Sequence, residues 1–444
     1  MDQASRPNVL VLYGLLQWPL RQWHSDHLYA FREYARSRAF YVNVGVRRTP
    51  QALRRVEWDA VILHHTLTGQ RMQPPILDFQ LKRAGAVRGM APTTIAMIQD
   101  ECIYTDLMSG LINEFEADHV FSLAPESEWR KIYPSVDHDR VKFHRVLAGY
   151  LDEGTLGRVD TIVAEQAARG DRPVDLGYRA WSGLLSLGRH GVLRRRLAEV
   201  FEPAARARGL RTDISVDMAD IHHGDDWYRF LASCRYFLGA EGGATVLDST
   251  GEFMLRTERY LDAHPAATFE EVEAACFPGE DGKLQLFAIS PRHLEACTTR
   301  TCQVLVEGDY SGVLQAGEHY IPIAKDLSNV EEVLDKVQSG EERERITENA
   351  YRDIVESGRY TYRGLVEQVE RESGLAALDG PRQALTPELE RLHRATEAAD
   401  RRSWHRVQAS VGSARAMRKI GTAVLPSRFT DRVRDRLAGG GKDR

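Results

Sequence analysis

The sequence predicts a two-lobed α/β protein, because short apolar strands alternate with longer helical segments, the alternation restarts after residue 170, and 444 residues exceed one ordinary core. The expected organisation is an N-terminal lobe over residues 1–165, a C-terminal lobe over 171–375 and a helical basic tail over 380–444, disordered at its end. With 43% hydrophobic and 28% charged residues the composition is that of a globular chain.

In order along the chain, Asn8-Val9-Leu10-Val11-Leu12-Tyr13-Gly14 reads as a buried strand running into a turn, and Trp23 to Arg36 as a helix. Strands are expected at Phe40–Val46, Asp59–His64, Thr93–Ile98, Val120–Leu123 and Val141–Val146, with a helical stretch from Pro50. Short runs of this kind separated by helices form a parallel sheet covered on both faces, so the first lobe is Rossmann-like. Its first turn lacks GxGxxG, which argues against a dinucleotide there. The second lobe repeats the pattern, with strands at Val174–Arg179, Thr212–Val216, Tyr236–Gly239, Phe287–Ile289 and Gln303–Val306, and a helix over Leu184–Arg206. Two such sheets in succession place a ligand in the cleft at their C-terminal strand ends.

The net charge of −5 resolves into +9 over residues 401–444 and −14 over residues 1–400, which speaks against nucleic acid on the main lobes. No window nears 18 uninterrupted apolar residues, and no basic leader precedes the first strand, so a cytoplasmic protein is expected. Cys102, Cys234, Cys276, Cys297 and Cys302 are widely spaced without a CxxC pair and read as reduced, buried side chains.

The most informative stretch is Ser290-Pro291-Arg292-His293-Leu294-Glu295-Ala296, followed by a strand and the loop Gly308-Asp309-Tyr310-Ser311-Gly312. Ser290 as cap with Pro291 at the first helical position puts Glu295 early in a helix that faces the cleft. The segment is similar to the C-terminal domain of group 1 glycosyltransferases of the GT-B fold, in which an SPR-x-x-E-A run precedes a strand and a glycine-bearing loop. The similarity continues through Gly317-Glu318-His319-Tyr320-Ile321-Pro322-Ile323, Asp326-Leu327-Ser328-Asn329-Val330-Glu331-Glu332 and Tyr360-Thr361-Tyr362, some 80 residues in order. It implies a GT-B transferase, of the kind found in bacterial surface polysaccharide biosynthesis, that moves a sugar from a nucleoside diphosphate donor to a glycan or lipid-linked hydroxyl acceptor. It further implies that Glu295 holds the ribose hydroxyls and that Ser290, Arg292, Ser311 and Gly312 belong to the donor site. Neither cofactor nor metal is expected. Many retaining members carry a second glutamate eight positions earlier, where this chain has Phe287.

Glu241, followed by Gly242 and Gly243, is the possible substitute, since glycines after a strand let backbone N–H groups approach phosphate, and Ser249 and Thr250 add hydroxyls. A tight turn with a capped helix explains the same residues. Arg179, at a strand's C-terminal end, offers a guanidinium fork to the diphosphate, or pairs with a nearby carboxylate. On the first lobe, Asp100 and Glu101 after a strand are candidates for the general base, though carboxylates there also serve as turns and caps. His64, beside His65, competes for that role. His222-His223-Gly224-Asp225-Asp226 has metal-binding residue types but reads as loop and N-cap, because adjacent ligands do not converge on one ion.

In the tail, Val407, Val411, Ala414, Met417 and Ile420 alternate with arginines as in a basic amphipathic helix. Residues 404–437 suit either an anionic membrane surface, which would make the protein peripheral, or the acidic body. Two other readings share the fold: a sugar-nucleotide epimerase, and a GT-B module that binds a partner without catalysis.

Overall fold

The computed structural model describes residues 6–15, 22–181 and 183–378, with helical positions at 390–391, 394–395, 398–399 and 402. The expectations for residues 404–437 fall outside the described residues.

The first sheet contains β1 (Asn8–Tyr13), β2 (Arg38–Asn43), β3 (Ala60–Leu63), β4 (Thr93–Met97), β5 (His119–Ser122) and β6 (Lys142–Arg145), all parallel in the order β2-β1-β3-β4-β5-β6. Every residue of β1 is buried. Val9 and Val11 enter one core and Leu10 and Leu12 the other, so the two-residue period of the strand separates two helix-covered faces.

The second sheet contains β7 (Val174–Arg179), β8 (Thr212–Ser215), β9 (Cys234–Gly239), β12 (Cys302–Val306) and β13 (Tyr320–Ile323), parallel in the order β13-β12-β9-β7-β8. The strand order of each sheet reverses at one point, between β1 and β3 and between β7 and β9, which opens a crevice at the carboxyl ends of those strands. Two departures from the sequence reading have plain causes. The run at Phe287 is β11 (Leu286–Ala288), which leaves the main sheet and pairs antiparallel with β10 (Gly242–Ala244). Tyr320–Ile323 is a strand despite Pro322, because it is a sheet edge, where a missing N–H is tolerated. All five cysteines are buried and free.

The lobes are knit together at two places. Between β10 and β11 the chain forms helices Glu252–Ala263 and Phe269–Cys276, while Ala244, Leu284 and Leu286 join the first-lobe core with Leu10 and Val61. Asp248 there exchanges backbone hydrogen bonds with first-lobe residues, its N–H donating to Cys102 O (2.8 Å) and its carbonyl accepting from Tyr104 N (2.8 Å). Asp248 Oδ2 also caps the following helix by accepting from Met254 N (2.9 Å), so Ser249 and Thr250 belong to a joint between lobes.

The second place is helix Tyr362–Glu372, which lies within the sequence range of the second lobe yet packs on the first. Tyr362, Leu365, Val366 and Val369 share a core with Val9, Val11 and Phe31. Glu370 accepts from the backbone N–H groups of Arg36 (3.1 Å) and Ser37 (2.8 Å). The crossing is itself hydrogen-bonded, Leu151 N to Tyr360 O (2.8 Å) and Tyr362 N to Leu151 O (3.0 Å). Arg6 Nε donates to Arg36 O (2.7 Å), and Arg36 Nη1 donates to Ala376 O (2.7 Å), which holds residues 6 and 376 on one lobe.

Candidate active site

A cavity of about 840 Å³ lies between the lobes, at the β7/β9 crevice. Its second-lobe wall is made by Tyr178 to Ala180 at the end of β7, Leu238 to Ala240 at the end of β9, the loop His222 to Gly224, and the start of helix Pro291–Thr298. The first lobe contributes Trp23, Asp26, Asp100 and Asp152.

Helix Pro291–Thr298 begins as the sequence implies, with Ser290 extended (φ −84°, ψ 147°) and Pro291 at the first position. Gly149, at the interlobe crossing, touches this first turn so closely that a Cβ there would stand 2.7 Å from Pro291 Cγ. Ser290, Arg292 and Glu295 all line the cavity. Glu295 Oε2 accepts from the indole N–H of Trp227 at 2.7 Å, and no described residue donates to Oε1. Burial raises its pKa above 4.5, against the opposing pull of Trp227 and Arg292. Arg292 Nη1 donates to Arg179 O (3.1 Å), and its guanidinium stands 5.9 Å from the Trp227 ring.

Arg179 reaches the cavity wall but faces its own lobe, which corrects the diphosphate role expected for it. Its guanidinium donates to Asp220 O (3.1 Å), Tyr178 O (2.9 Å), Asp213 O (2.9 Å) and Asp213 Oδ1 (2.5 Å), and lies over Phe230 at 4.5 Å. Only 8% of the residue is exposed. A second cation beside Arg292 that does face the cavity is Arg194, half-buried on helix Arg189–Ala207, with no carboxylate in salt-bridge range among the described residues.

The Glu241 region divides. Gly242 lines the cavity, whereas Gly243 (φ 137°) belongs to the β10/β11 ribbon. Glu241 is turned away as a structural group, accepting from Tyr310 N at 2.7 Å, and so does not replace the missing second glutamate. A Cβ on Gly308 would lie 2.2 Å from Glu241 Oε2, so glycine is what lets the carboxylate in. Ser311 (φ 56°) accepts from Ile289 N at 3.2 Å, and Ser311 and Gly312 form the turn beneath the wall rather than the lining itself.

The first-lobe candidates also separate. Asp100 lines the cavity in a left-handed conformation (φ 54°), imposed by Arg71. That guanidinium, fully buried, donates to the carbonyls of Gln99 (2.6 Å), Ile103 (2.9 Å) and Asp100. Glu101 points the other way and is no base. It is completely buried and accepts from Ser122 Oγ (2.6 Å), Tyr133 OH (2.6 Å), Leu123 N (2.6 Å) and Ala124 N (3.2 Å), tying the ends of β4 and β5. His64 caps the short helix His65–Thr68 and is completely buried behind the wall, which removes it as a base facing the cleft.

The carboxylate that the sequence reading missed is Asp26, near the start of helix Gln22–Tyr34. It lines the cavity, accepts from Gln22 Nε2 at 2.6 Å, and is pushed up to about 6 by burial, with Asp152 and Glu295 adding to the rise. The loop His222 to Gly224 lines the cavity as well, and Gly224 caps helix Asp225–Ser233 without a side-chain bond.

No protein-family model matches the chain, and no curated protein matches it. Among solved structures it is similar to HepE of Anabaena, crystallised with UDP, at 10% identity over 84% of this chain and 100% of that one, with a TM-score of 0.46. Sucrose-phosphate synthase of Thermosynechococcus elongatus aligns at 8% identity over 84% of this chain and 100% of that one, also at 0.46. AviGT4, a glycosyltransferase involved in avilamycin A biosynthesis, aligns at 12% over 83% of this chain and 98% of that one, at 0.37. These likenesses are distant, and the functional reading rests on the site's own geometry. No helix of the described residues is long and apolar enough to cross a membrane.

Proposed function

We propose that the chain is a glycosyltransferase that moves a sugar from a nucleoside diphosphate donor, held at the β7/β9 crevice, to a hydroxyl of a glycan or lipid-linked acceptor presented by the first lobe. The observation that carries the reading is Glu295, a half-buried carboxylate of the cavity wall in the second turn of helix Pro291–Thr298, with one oxygen fixed by Trp227 and no described donor on the other. A carboxylate so placed accepts hydrogen bonds from ribose hydroxyls, which a neutral or solvated group would do less well. In transfer, the bond from the anomeric carbon to the diphosphate oxygen breaks and a bond to the acceptor oxygen forms. The departing negative charge is met by Arg194 and Arg292, with the positive end of the helix Pro291–Thr298 dipole beside them, without need of an ion. The acceptor proton passes to a first-lobe carboxylate, and Asp26 and Asp100 are the two that face the cavity. Polysaccharide or glycoconjugate synthesis is the setting such an acceptor implies.

Thermal-shift titration with UDP, GDP, dTDP, CMP and ADP tests the donor site. At a hundredfold excess over its dissociation constant, a ligand specific for the native state stabilises it by about 2.7 kcal/mol. One diphosphate should shift the wild type and not Glu295→Ala; equal shifts in both proteins, or none in either, would refute the assignment. Turnover of the matching nucleotide sugar without any acceptor would point instead to an epimerase.

A further inference from the structure

At the other crevice, where the first sheet reverses between β1 and β3, His64 follows β3, His65 opens the next short helix, and His27 descends from helix Gln22–Tyr34. One ring nitrogen from each of the three lies within 4.8 Å of the others, and all three residues are buried. Their backbone is fixed, His64 N–H donating to Leu12 O of β1 at 2.9 Å.

The rings bond to one another and to their neighbours. His27 Nδ1 and His64 Nε2 meet at 2.9 Å, His64 Nδ1 meets Thr66 Oγ1 at 3.0 Å, and His65 Nε2 meets His24 Nδ1 at 3.4 Å. His65 Nδ1 is buried with no partner among the described residues. A buried polar nitrogen without a partner is costly, and three buried imidazoles with a nitrogen each within 4.8 Å of the others are a donor set that a cation could satisfy. We infer that His27, His64 and His65 bind a divalent transition-metal ion, zinc in the first instance, through His27 Nδ1, His64 Nε2 and His65 Nδ1.

Zinc holds imidazole nitrogens at about 2.0–2.1 Å, so two tetrahedral ligands stand about 3.3 Å apart, and the His27–His64 pair need open only by several tenths of an ångström. With its Nε2 on the ion, His64 carries its proton on Nδ1 and donates it to Thr66 Oγ1 (3.0 Å), in exchange for the capping bond that Nδ1 otherwise accepts from Thr66 N (3.3 Å). His65, ligating through Nδ1, donates Nε2–H to His24. Both are the outer hydrogen bonds that orient metal-bound histidines. Burial favours the neutral imidazole, which is the ligating form. Three imidazoles suit zinc, cobalt or nickel rather than magnesium or calcium.

The ion would lie behind the cavity rather than in it. Trp23 stacks on His24 (3.5 Å between centroids) and runs parallel to His65 at 5.8 Å, while its other side lines the cavity. Its role is therefore to pin the first turns of helix Gln22–Tyr34, and with them the wall that carries Asp26. The inference stands whether or not the chain is a transferase.

The test uses the full chain without a polyhistidine tag. Elemental analysis after gel filtration should find about one zinc per chain, a chelator should remove it and lower the melting temperature, and zinc should restore both. Cobalt added to the stripped protein should give the visible absorption bands of a low-symmetry four-coordinate site. His27→Ala and His65→Ala should lose the ion and the bands, and His65→Cys should keep the ion and add a sulfur-to-cobalt charge-transfer band. Wild-type protein that neither retains zinc nor develops cobalt bands would overturn the site, as would bands that survive in both alanine variants. Should the alanine variants fail to fold, absence of the charge-transfer band from folded His65→Cys would overturn it equally.

Discussion

Arg179 and Arg194 show how little a residue's type says until its partners are known. Both stand near the cavity, but the first is satisfied by Asp213 and three carbonyls and the second has no carboxylate partner among the described residues. Arg194→Ala should therefore weaken nucleotide diphosphate binding by roughly 1.5–3 kcal/mol with little change in melting temperature. Arg179→Ala should do the reverse, unfolding at lower temperature because Asp213 and the carbonyls lose a buried donor. Calorimetric titration beside a melting curve separates the two. Arg194 was legible in the sequence by a signal left unused: it stands three and seven residues before Leu197 and Phe201, on the inward stripe of its helix, where a charge is out of place unless something binds it. Glu295 was readable because its run has a fixed spacing from a proline cap. Asp26 was not, since an aspartate early in a helix looks the same whether it caps, solvates or faces a cleft. Asp26→Asn should reduce turnover by about 10²–10⁴-fold while nucleotide affinity holds, which steady-state kinetics and a binding isotherm together would show. For Glu295 the sign of the pH effect follows from its raised pKa. The carboxylate form accepts from ribose, so nucleotide affinity should fall as pH drops through that raised value, above the 4.5 of an ordinary glutamate, and Glu295→Gln should flatten the dependence.

At the scale of elements, strands were read well because burial on both faces leaves an apolar run that little else produces, as in β1. β11 shows the limit: Leu286-Phe287-Ala288 is as apolar as its neighbours, and nothing local says that it turns out of the sheet to pair with the glycines of β10. The loop after β12 is shaped by the opposite economy of space. Gly308 admits the Glu241 carboxylate, which then holds Tyr310 N, and the turn through Tyr310 and Ser311 follows at positive φ. Gly308→Ala should cost about 1–3 kcal/mol through overpacking, measured by denaturant unfolding. Added to Glu241→Ala, where the clash is gone, the same substitution should cost much less, and a double-mutant cycle that came out additive would contradict this account.

For the molecule as a whole, the sequence implied two consecutive lobes, and two parallel sheets are what the chain forms. What it concealed is that the chain returns, in helix Tyr362–Glu372, to the lobe where it began. The stripe of Tyr362, Leu365, Val366 and Val369 announces an amphipathic helix, but amphipathicity states that a face is covered and not by which sheet. A fragment of residues 1–165 should accordingly expose an apolar face, bind a hydrophobic dye and aggregate, and a peptide spanning 358–378 supplied in trans should reverse this. Leu365→Ala should lower first-lobe stability by about 2–5 kcal/mol, read by hydrogen exchange in β1.

The returning helix also decides where a hinge could be watched. Residues 6 and 376 are both tethered to Arg36. Fluorophores placed beside them would ride on one rigid body and keep a constant separation however the lobes turned. Arg145 and Asp309 reach each other from opposite lobes at 3.2 Å. Dyes on their neighbours would report the first ångströms of any rotation.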